Sequence, residues 1–337
     1  MNNNSGRHNR TLLVGGFTLA CLVWLNSIDT KTHAQSLRLI STETFDTWMM
    51  ELSNWGRWGD DDQLGTLNLI TPEKRREAVA LVTDGMSVSL AHNVETQSAV
   101  ANPRPFDVAM IGLNGTGASV MDQWTVSYHG YAHTHLDALC HFSHQGQMFN
   151  GVPNTSVTID GCAKLAIDNF KDGIVTRGIL IDIPHLRGVD FLELESPIYP
   201  EELEAWEAKM GINVRSGDAV FVRTGRWGKR EAEGPWDVGS RVAGLHASTA
   251  RWFRERDVAV IGTDHGADVH PSGMEDVSHP LHILLLVAMG TPIFDNVDLE
   301  DLSRAANGRQ RWEFLLTAAP VPVPGGTGSP LNPIATF

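Results

Sequence analysis

Histidine is the side chain best suited to both metal ligation and proton transfer near neutral pH, and five of the fourteen histidines in this 337-residue chain fall between positions 129 and 144. Within that stretch His133, His135 and Asp137 alternate. A β-strand sends residues two apart to one face, so the spacing predicts that these three project together and grip one divalent ion. Neutral imidazole nitrogens and a carboxylate oxygen suit Zn²⁺, Mn²⁺ or Fe²⁺, and three protein ligands leave positions open for water or substrate. The bland alternative, a set of solvated loop histidines, would leave buried donors and a charge with no cation to offset them. His141, four residues past Asp137, should fall in the loop beyond the strand. There an imidazole can take a proton from water and return it to a leaving group. His129 and His144 are expected to support that site from outside or to lie at the surface.

A second group lies downstream: Asp264, His265, Asp268 and His270, then His279 and His282, then Asp295 and Asn296. Alone, a histidine on the apolar segment around His282 is an ordinary core residue. Beside the first group it becomes a candidate ligand or a second acid/base.

The elements that must position these residues follow from punctuation and periodicity. Residues 72–84 read as a helix, with Thr71 as N-cap, Pro72 at the first helical position and Gly85 as the stop. Residues 86–92 read as a strand, 125–137 as the strand carrying the ligands, and 140–151 as the loop after it. Residues 178–183, 219–223 and 258–262 have strand character, as does the segment opening at 292–296; 200–210, 245–256 and 279–289 have helical character. The alternation places the chain in the mixed α/β class. Only the tail from Ala319 to Pro333, rich in Pro and Gly, reads as irregular.

Residues 1–34 combine Arg7 and Arg10, an apolar run from Thr11 to Leu25 and a small residue at Ala34, the pattern of a secretory signal peptide; an uncleaved anchor is the alternative. Removing them takes away Arg7, Arg10 and Lys31 against Asp29, so the formal charge of −14 becomes −16. Nucleic acid and anionic membrane are then poor partners. Residues 35–337 read as one domain without repeats or a long linker. Cys140 and Cys162 remain; one bridge between them is conceivable, but its place between the candidate ligands and His141 favours free thiols.

The stretch Thr134-His135-Leu136-Asp137-Ala138-Leu139-Cys140-His141 resembles the signature His-x-Gly-Thr-His-x-Asp-x-Pro-x-His of the cyclase family of metal-dependent hydrolases, which includes bacterial kynurenine formamidases and isatin hydrolases. Val220-Phe221-Val222-Arg223-Thr224-Gly225 is similar to that family's strand ending in Arg-Thr-Gly. The segment from His282 through Gly290 to Asp295-Asn296 is similar to its distal motif, and Trp55-Gly56-Arg57-Trp58-Gly59 to its longer members. Tyr131 stands where the signature has its first His, His133 where it has Gly, Leu139 where it has Pro, and Asp295 where the distal motif has Glu. The resemblance implies a swivelling β/β/α fold with a mixed sheet and flanking helices, found as a homodimer or larger assembly. It implies Mn²⁺ or Zn²⁺ held by His135 and Asp137 with His133 or a lost ligand completing the set, His141 as acid/base, and His282 with Asp295 as the distal pair. Trp55 and Trp58 would wall an aromatic pocket, or simply pack; Arg223 would orient a substrate carboxylate, or form a structural ion pair.

The activity implied is hydrolysis of a carbon–nitrogen bond other than a peptide bond, in a cyclic amide or imide or an N-formyl aromatic amine, in a periplasmic or secreted protein. Lactone hydrolysis, cyclisation or dehydration on the same site, and non-catalytic binding of a metal or ligand are the alternatives.

Overall fold

The computed structural model describes residues 36–111 and 119–337; the expected signal peptide, residues 1–34, lies outside the described residues. Four near-continuous apolar runs, Ile174–Asp182, Ala219–Arg223, Val260–Thr263 and Ile293–Asp295, form parallel neighbours at the heart of the sheet. Such runs suit strands covered on both faces. Antiparallel strands extend the sheet on both sides. Its spatial order is Ser87–Ser89, Ile334–Thr336, Glu313–Ala318, Ile174–Asp182, Ala219–Arg223, Val260–Thr263, Ile293–Asp295, His135–Asp137, Gly328–Pro330. The result is an α/β protein built on a nine-stranded mixed sheet, curled into a half-barrel with flanking helices. Phe221, Phe294, Phe314 and Phe337 stack in its core, with ring centroids 5.8–6.0 Å apart between neighbours.

Helices begin and end where their punctuation places them. Pro200–Met210 starts on its proline and stops at Gly211, whose φ of 65° is left-handed. At Pro72–Val79 the Thr71 hydroxyl accepts from Lys74 N–H at 3.2 Å, but the helix stops short of the expected residue 84: Val79 and Val82 are exposed, so no packing extends it. The apolar stretch expected as one helix over 279–289 is a single turn, Pro280–His282, widening into a π-helix over Ile283–Met289. A Cβ on Gly65 would lie 1.9 Å from the Gly290 carbonyl oxygen that ends this segment, so only glycine fits there.

Three other expectations are corrected. Residues 125–137 are not one strand: Met121–Thr125 pairs with Asp107–Ile111 in an exposed hairpin, and the chain then turns before the short strand His135–Asp137. The tail read as irregular supplies the edge strand Gly328–Pro330. Cys140 and Cys162 are joined in a disulfide, with Cα atoms 6.5 Å apart. Cys140 follows the ligand strand on a turn tied to Leu165, so its side chain bonds toward the Gly161–Cys162 segment without crossing the donors.

Candidate metal centre

The three-residue strand His135–Asp137 lies between Ile293–Asp295 and Gly328–Pro330, with His135 opposite Asp295 and Asp137 opposite Ile293. Strand alternation turns Leu136 into the core and sends His135 and Asp137 to the other face. There His135 Nε2 lies 3.4 Å from Asp137 Oδ1 and 3.9 Å from Asp295 Oδ2.

His133 does not join them. It sits in the bend before the strand, where alternation no longer applies, and its ring packs edge-on against Phe106 at 5.9 Å. Its backbone contributes instead: the His133 carbonyl accepts from His135 Nδ1–H at 2.8 Å, which leaves the Nε2 lone pair facing the carboxylates.

His129, expected behind the ligands or at the surface, takes a place among them. Its Nδ1 lies 3.2 Å from Asp137 Oδ1, and its Nε2 shares a 2.9 Å hydrogen bond with Thr327 Oγ1. Gly130, at φ 136°, reverses the chain just after it. Asn296 Nδ2 donates to the Gly130 carbonyl at 2.7 Å and to that of His133 at 3.3 Å, while buried Arg226 donates to the Tyr131 carbonyl and to Asn296 Oδ1. Residues more than ninety positions away thus fold His129 back over the strand. No pattern within 129–137 announces this, although the glycine beside His129 is a signal for a turn.

His141 stacks flat on His129 at 3.8 Å, with Nε2 3.9 Å from Asp137 Oδ2. His282 enters from the helical turn: its Nδ1–H donates to Asp268 Oδ2 at 2.6 Å and its Nε2 lies 3.3 Å from Asp295 Oδ2 and 4.0 Å from Asp137 Oδ2. Asp268, a residue that sequence reasoning grouped here without a role, also accepts from the backbone N–H of Leu281 and His282. It fixes the imidazole orientation. Two sets of donors therefore converge, His129 with Asp137 and His141, and His135 with Asp137 and Asp295, sharing one carboxylate.

The electrostatics match that geometry. Burial alone would raise the Asp137 carboxyl, but His141, His129 and His135 outweigh it and hold it well below the usual carboxylate range. Burial disfavours charge on His282 and His135, yet Asp295 and Asp268 hold the first well above the ordinary imidazole value, and Asp137 raises the second. Burial pushes His141 down to about 4 against the pull of Asp137, leaving a neutral base. Both carboxylate oxygens of Asp137, Oδ1 of Asp295 and Nδ1 of His129 are buried without a hydrogen-bond partner. Orphaned buried acceptors of this kind are expensive, and cation binding in the two sets that share Asp137 would satisfy them. The donor set of imidazole nitrogens and carboxylate oxygens, with no thiolate, fits such an ion.

The residues expected to contact substrate lie elsewhere. Trp55 Nε1 donates to the Val287 carbonyl at 2.7 Å, and Trp58 packs on the core beneath the Arg57 guanidinium. Neither makes a hydrogen bond or ring contact with the donors among the described residues. Arg223 is bound by Asp182 at 3.0 Å and Glu300 at 2.7 Å, the structural ion pair. The apolar ring that does face the centre is Phe142, 4.9 Å from His141 and 5.2 Å from His282. Tyr131, where the signature has its first His, directs its hydroxyl to His279 at 3.2 Å and His270 at 3.4 Å. A cavity of about 250 Å³ opens beside His129 and Tyr131, lined also by Asn102, Arg104 and Asp237.

Comparison with known proteins identifies the family and the fold. Residues 76–268 match the family described as "Putative cyclase". A crystal structure of a novel cyclase superposes with a TM-score of 0.77 at 31% identity, covering 85% of this chain and 100% of that one. An isatin hydrolase bound to the product analogue thioisatinate (18% identity, TM-score 0.52) and isatin hydrolase A from Ralstonia solanacearum (22%, 0.51) share the fold, each over 74% of this chain and 91% of theirs. No curated protein matches.

Proposed function

The chain belongs to the putative cyclase family, and from that premise we propose that it is a metal-dependent hydrolase of a carbon–nitrogen bond in a cyclic amide, imide or N-formyl aromatic amine. The observation that carries the reading is Asp137, fully buried with neither carboxylate oxygen hydrogen-bonded, ringed by His129, His135, His141 and His282. His129, His135, Asp137 and Asp295 would hold the ion, Zn²⁺ or Mn²⁺, with His282 beside Asp295. Such an ion supplies Lewis-acid polarisation of a carbonyl and lowers the pKa of water. Neutral His141 accepts the proton of the attacking water at its Nε2 and returns it to the departing nitrogen. Phe142 lies against both His141 and His282, where it would pack on an aromatic substrate and exclude bulk water. Asp268 and the His133 carbonyl hold the rings of His282 and His135 in place.

The fold would be of the swivelling β/β/α type. Export to the periplasm or medium is supported by the signal-like residues 1–34 and by the Cys140–Cys162 disulfide, a bond typical of oxidising compartments. Among the described residues no helix is long and apolar enough to cross a membrane. Self-association is supported by the exposed apolar hairpin, where Ile111 and Met121 are paired on one face.

The test is elemental analysis of purified protein together with a panel of cyclic amides and imides, isatin among them, lactones and N-formyl anilines, read by product mass. Bound transition metal with a product heavier by one water supports the reading. Metal-free protein that turns over nothing defeats it, and a product lighter by one water would assign a cyclising or dehydrating enzyme instead.

A further inference from the structure

Three of the four histidines around Asp137 are steered through their rings. His282 donates from Nδ1 to Asp268 at 2.6 Å, His135 donates from Nδ1 to the His133 carbonyl at 2.8 Å, and His129 shares a 2.9 Å hydrogen bond with Thr327. His141 is different. Among the described residues neither of its ring nitrogens makes a hydrogen bond, and Asp137 Oδ2 stands 3.9 Å from its Nε2. Its ring contacts are the flat stack on His129 at 3.8 Å and Phe142, edge-on at 4.9 Å. Stacking sets the spacing of ring planes but does not, as a hydrogen bond does, fix the direction of one nitrogen. The remaining constraint on His141 has to come through its backbone.

That backbone is a turn. Ala138 N–H donates to the Thr327 carbonyl at 3.0 Å, Cys140 N–H to the Leu165 carbonyl at 3.2 Å, and His141 N–H back to the Ala138 carbonyl at 3.0 Å. Leu139 stands where the family signature has proline, so no ring fixes φ there. Past His141, the next N–H to donate to another backbone group is that of His144, to Gln147. The last long-range tie before His141 is therefore the bond from Cys140 to Cys162, both buried. Cys162 N–H donates in turn to the Gly325 carbonyl at 2.9 Å. The same stretch of chain gives Thr327 to His129 and the edge strand Gly328–Pro330 to His135–Asp137. Donors and base are thus referred to one frame, the base through sulfur.

We propose that the Cys140–Cys162 bridge is the positioning element of His141, holding its imidazole in register with Asp137 in place of the side-chain hydrogen bond that the other three rings have. The proposal rests on His141 being the proton carrier of the proposed hydrolysis, and it gives the bridge a part in the rate besides its part in stability. Misplacement of a reacting group by about 1 Å can cost about 10²-fold.

The variant is Cys162→Ser, which opens the bridge from its far end and leaves Cys140 beside the base. Wild type reduced to two thiols by a phosphine is the second form, should the variant not fold. Each is loaded with Zn²⁺ and labelled at histidine with ¹³C, and the His141 Cε1–H resonance is identified by its absence from His141→Ala. Opening the bridge should shift or broaden that resonance, leave Zn²⁺ affinity unchanged, and lower kcat by about 10–10²-fold with KM unchanged, on isatin or whichever panel compound the wild type hydrolyses. In His141→Ala, opening the bridge should lower kcat no further, because the two changes remove the same contribution. Four results overturn the proposal: an unmoved resonance, a kcat that survives opening of the bridge, a Zn²⁺ affinity that falls with it, or an equal loss of rate in the His141→Ala background. Failure of both opened forms to fold also overturns it, by making the bridge a requirement of the fold. Full turnover by His141→Ala, or a wild type that hydrolyses nothing, defeats the reading of the site instead, and the resonance then decides by itself whether the bridge holds the ring.

Discussion

Replacing Asp137 by Asn should abolish metal-linked stabilisation at a single stroke, because both sets of converging donors share that carboxylate. A ligand present at a hundred times its Kd and bound only by the folded state adds about 2.7 kcal/mol. Unfolding entropy near Tm is about 2.1 cal/mol/K per residue, so a folded body of about 300 residues has about 0.6 kcal/mol/K and should melt about 4 °C higher when loaded. The structure assigns the whole of that increment to Asp137: without its charge, His135 faces Asp295 alone and His129 faces only other imidazoles and an amide. Differential scanning fluorimetry of wild type and Asp137→Asn, each stripped with chelator and titrated with Zn²⁺ or Mn²⁺, measures the difference. Comparing increments cancels any change in metal-free stability from removing a buried charge. An equal rise in both proteins would refute the shared-carboxylate geometry, and no rise in the wild type under saturating metal would refute the metal centre.

His141→Ala should leave metal content intact and lower turnover by about 10²–10⁴-fold, the usual worth of a general acid–base group; a smaller loss would move the proton transfer to another residue. Asp268→Ala, which frees His282 Nδ1, should cost about 10–100-fold in metal affinity or activity, read by isothermal titration and initial rates. In metal-free protein, burial holds His141 and His270 at about 4 and His265 at about 3. The unfolded state therefore takes up more protons than the folded one once pH drops below about 6.5, and stability should fall from there toward pH 4. His282 and His135 work the other way, their contribution present below 6.5 and lost as pH rises through their raised folded values, but they are two groups against three. Urea midpoints that stay level or rise from pH 7 to pH 5 would contradict this. Removing the disulfide with Cys140→Ser and Cys162→Ser reopens a loop of 22 residues and should cost about 3 kcal/mol on the chain-entropy account, measured by urea unfolding against the oxidised protein.

What the sequence carried most clearly was local. The helix over Pro200–Met210 was legible because proline opens it and Gly211 can take the left-handed turn that closes it, and Ala219–Arg223 because five buried apolar or amphipathic residues in a row suit a strand covered on both faces. The His135/Asp137 pair was legible for the same reason, since three residues of strand are enough to put both on one side. The convergence failed at His133 because strand character was carried back through Gly130, where the backbone turns under the hold of Asn296 and Arg226. Those partners lie 95 or more residues downstream, and no periodicity within the stretch reports them. The place of His129 among the donors depends on that same turn. The disulfide is not legible because spacing along the chain is silent about the 6.5 Å between Cα atoms.

The opposition of His135 to Asp295 across two antiparallel strands has a consequence for how such a protein can change. A slip of one position in that pairing would present Leu136 and Phe294 where the imidazole and carboxylate belong, so a correctly assembled sheet and a correctly assembled centre are the same event during folding. The groups around the rim are under no such discipline: Phe142, Tyr131 and the segment near Arg104 come from turns and loops. Substitutions can therefore rewrite the rim and leave the sheet intact, whereas the share of the centre supplied by His135, Asp137 and Asp295 depends on the backbone ladder itself.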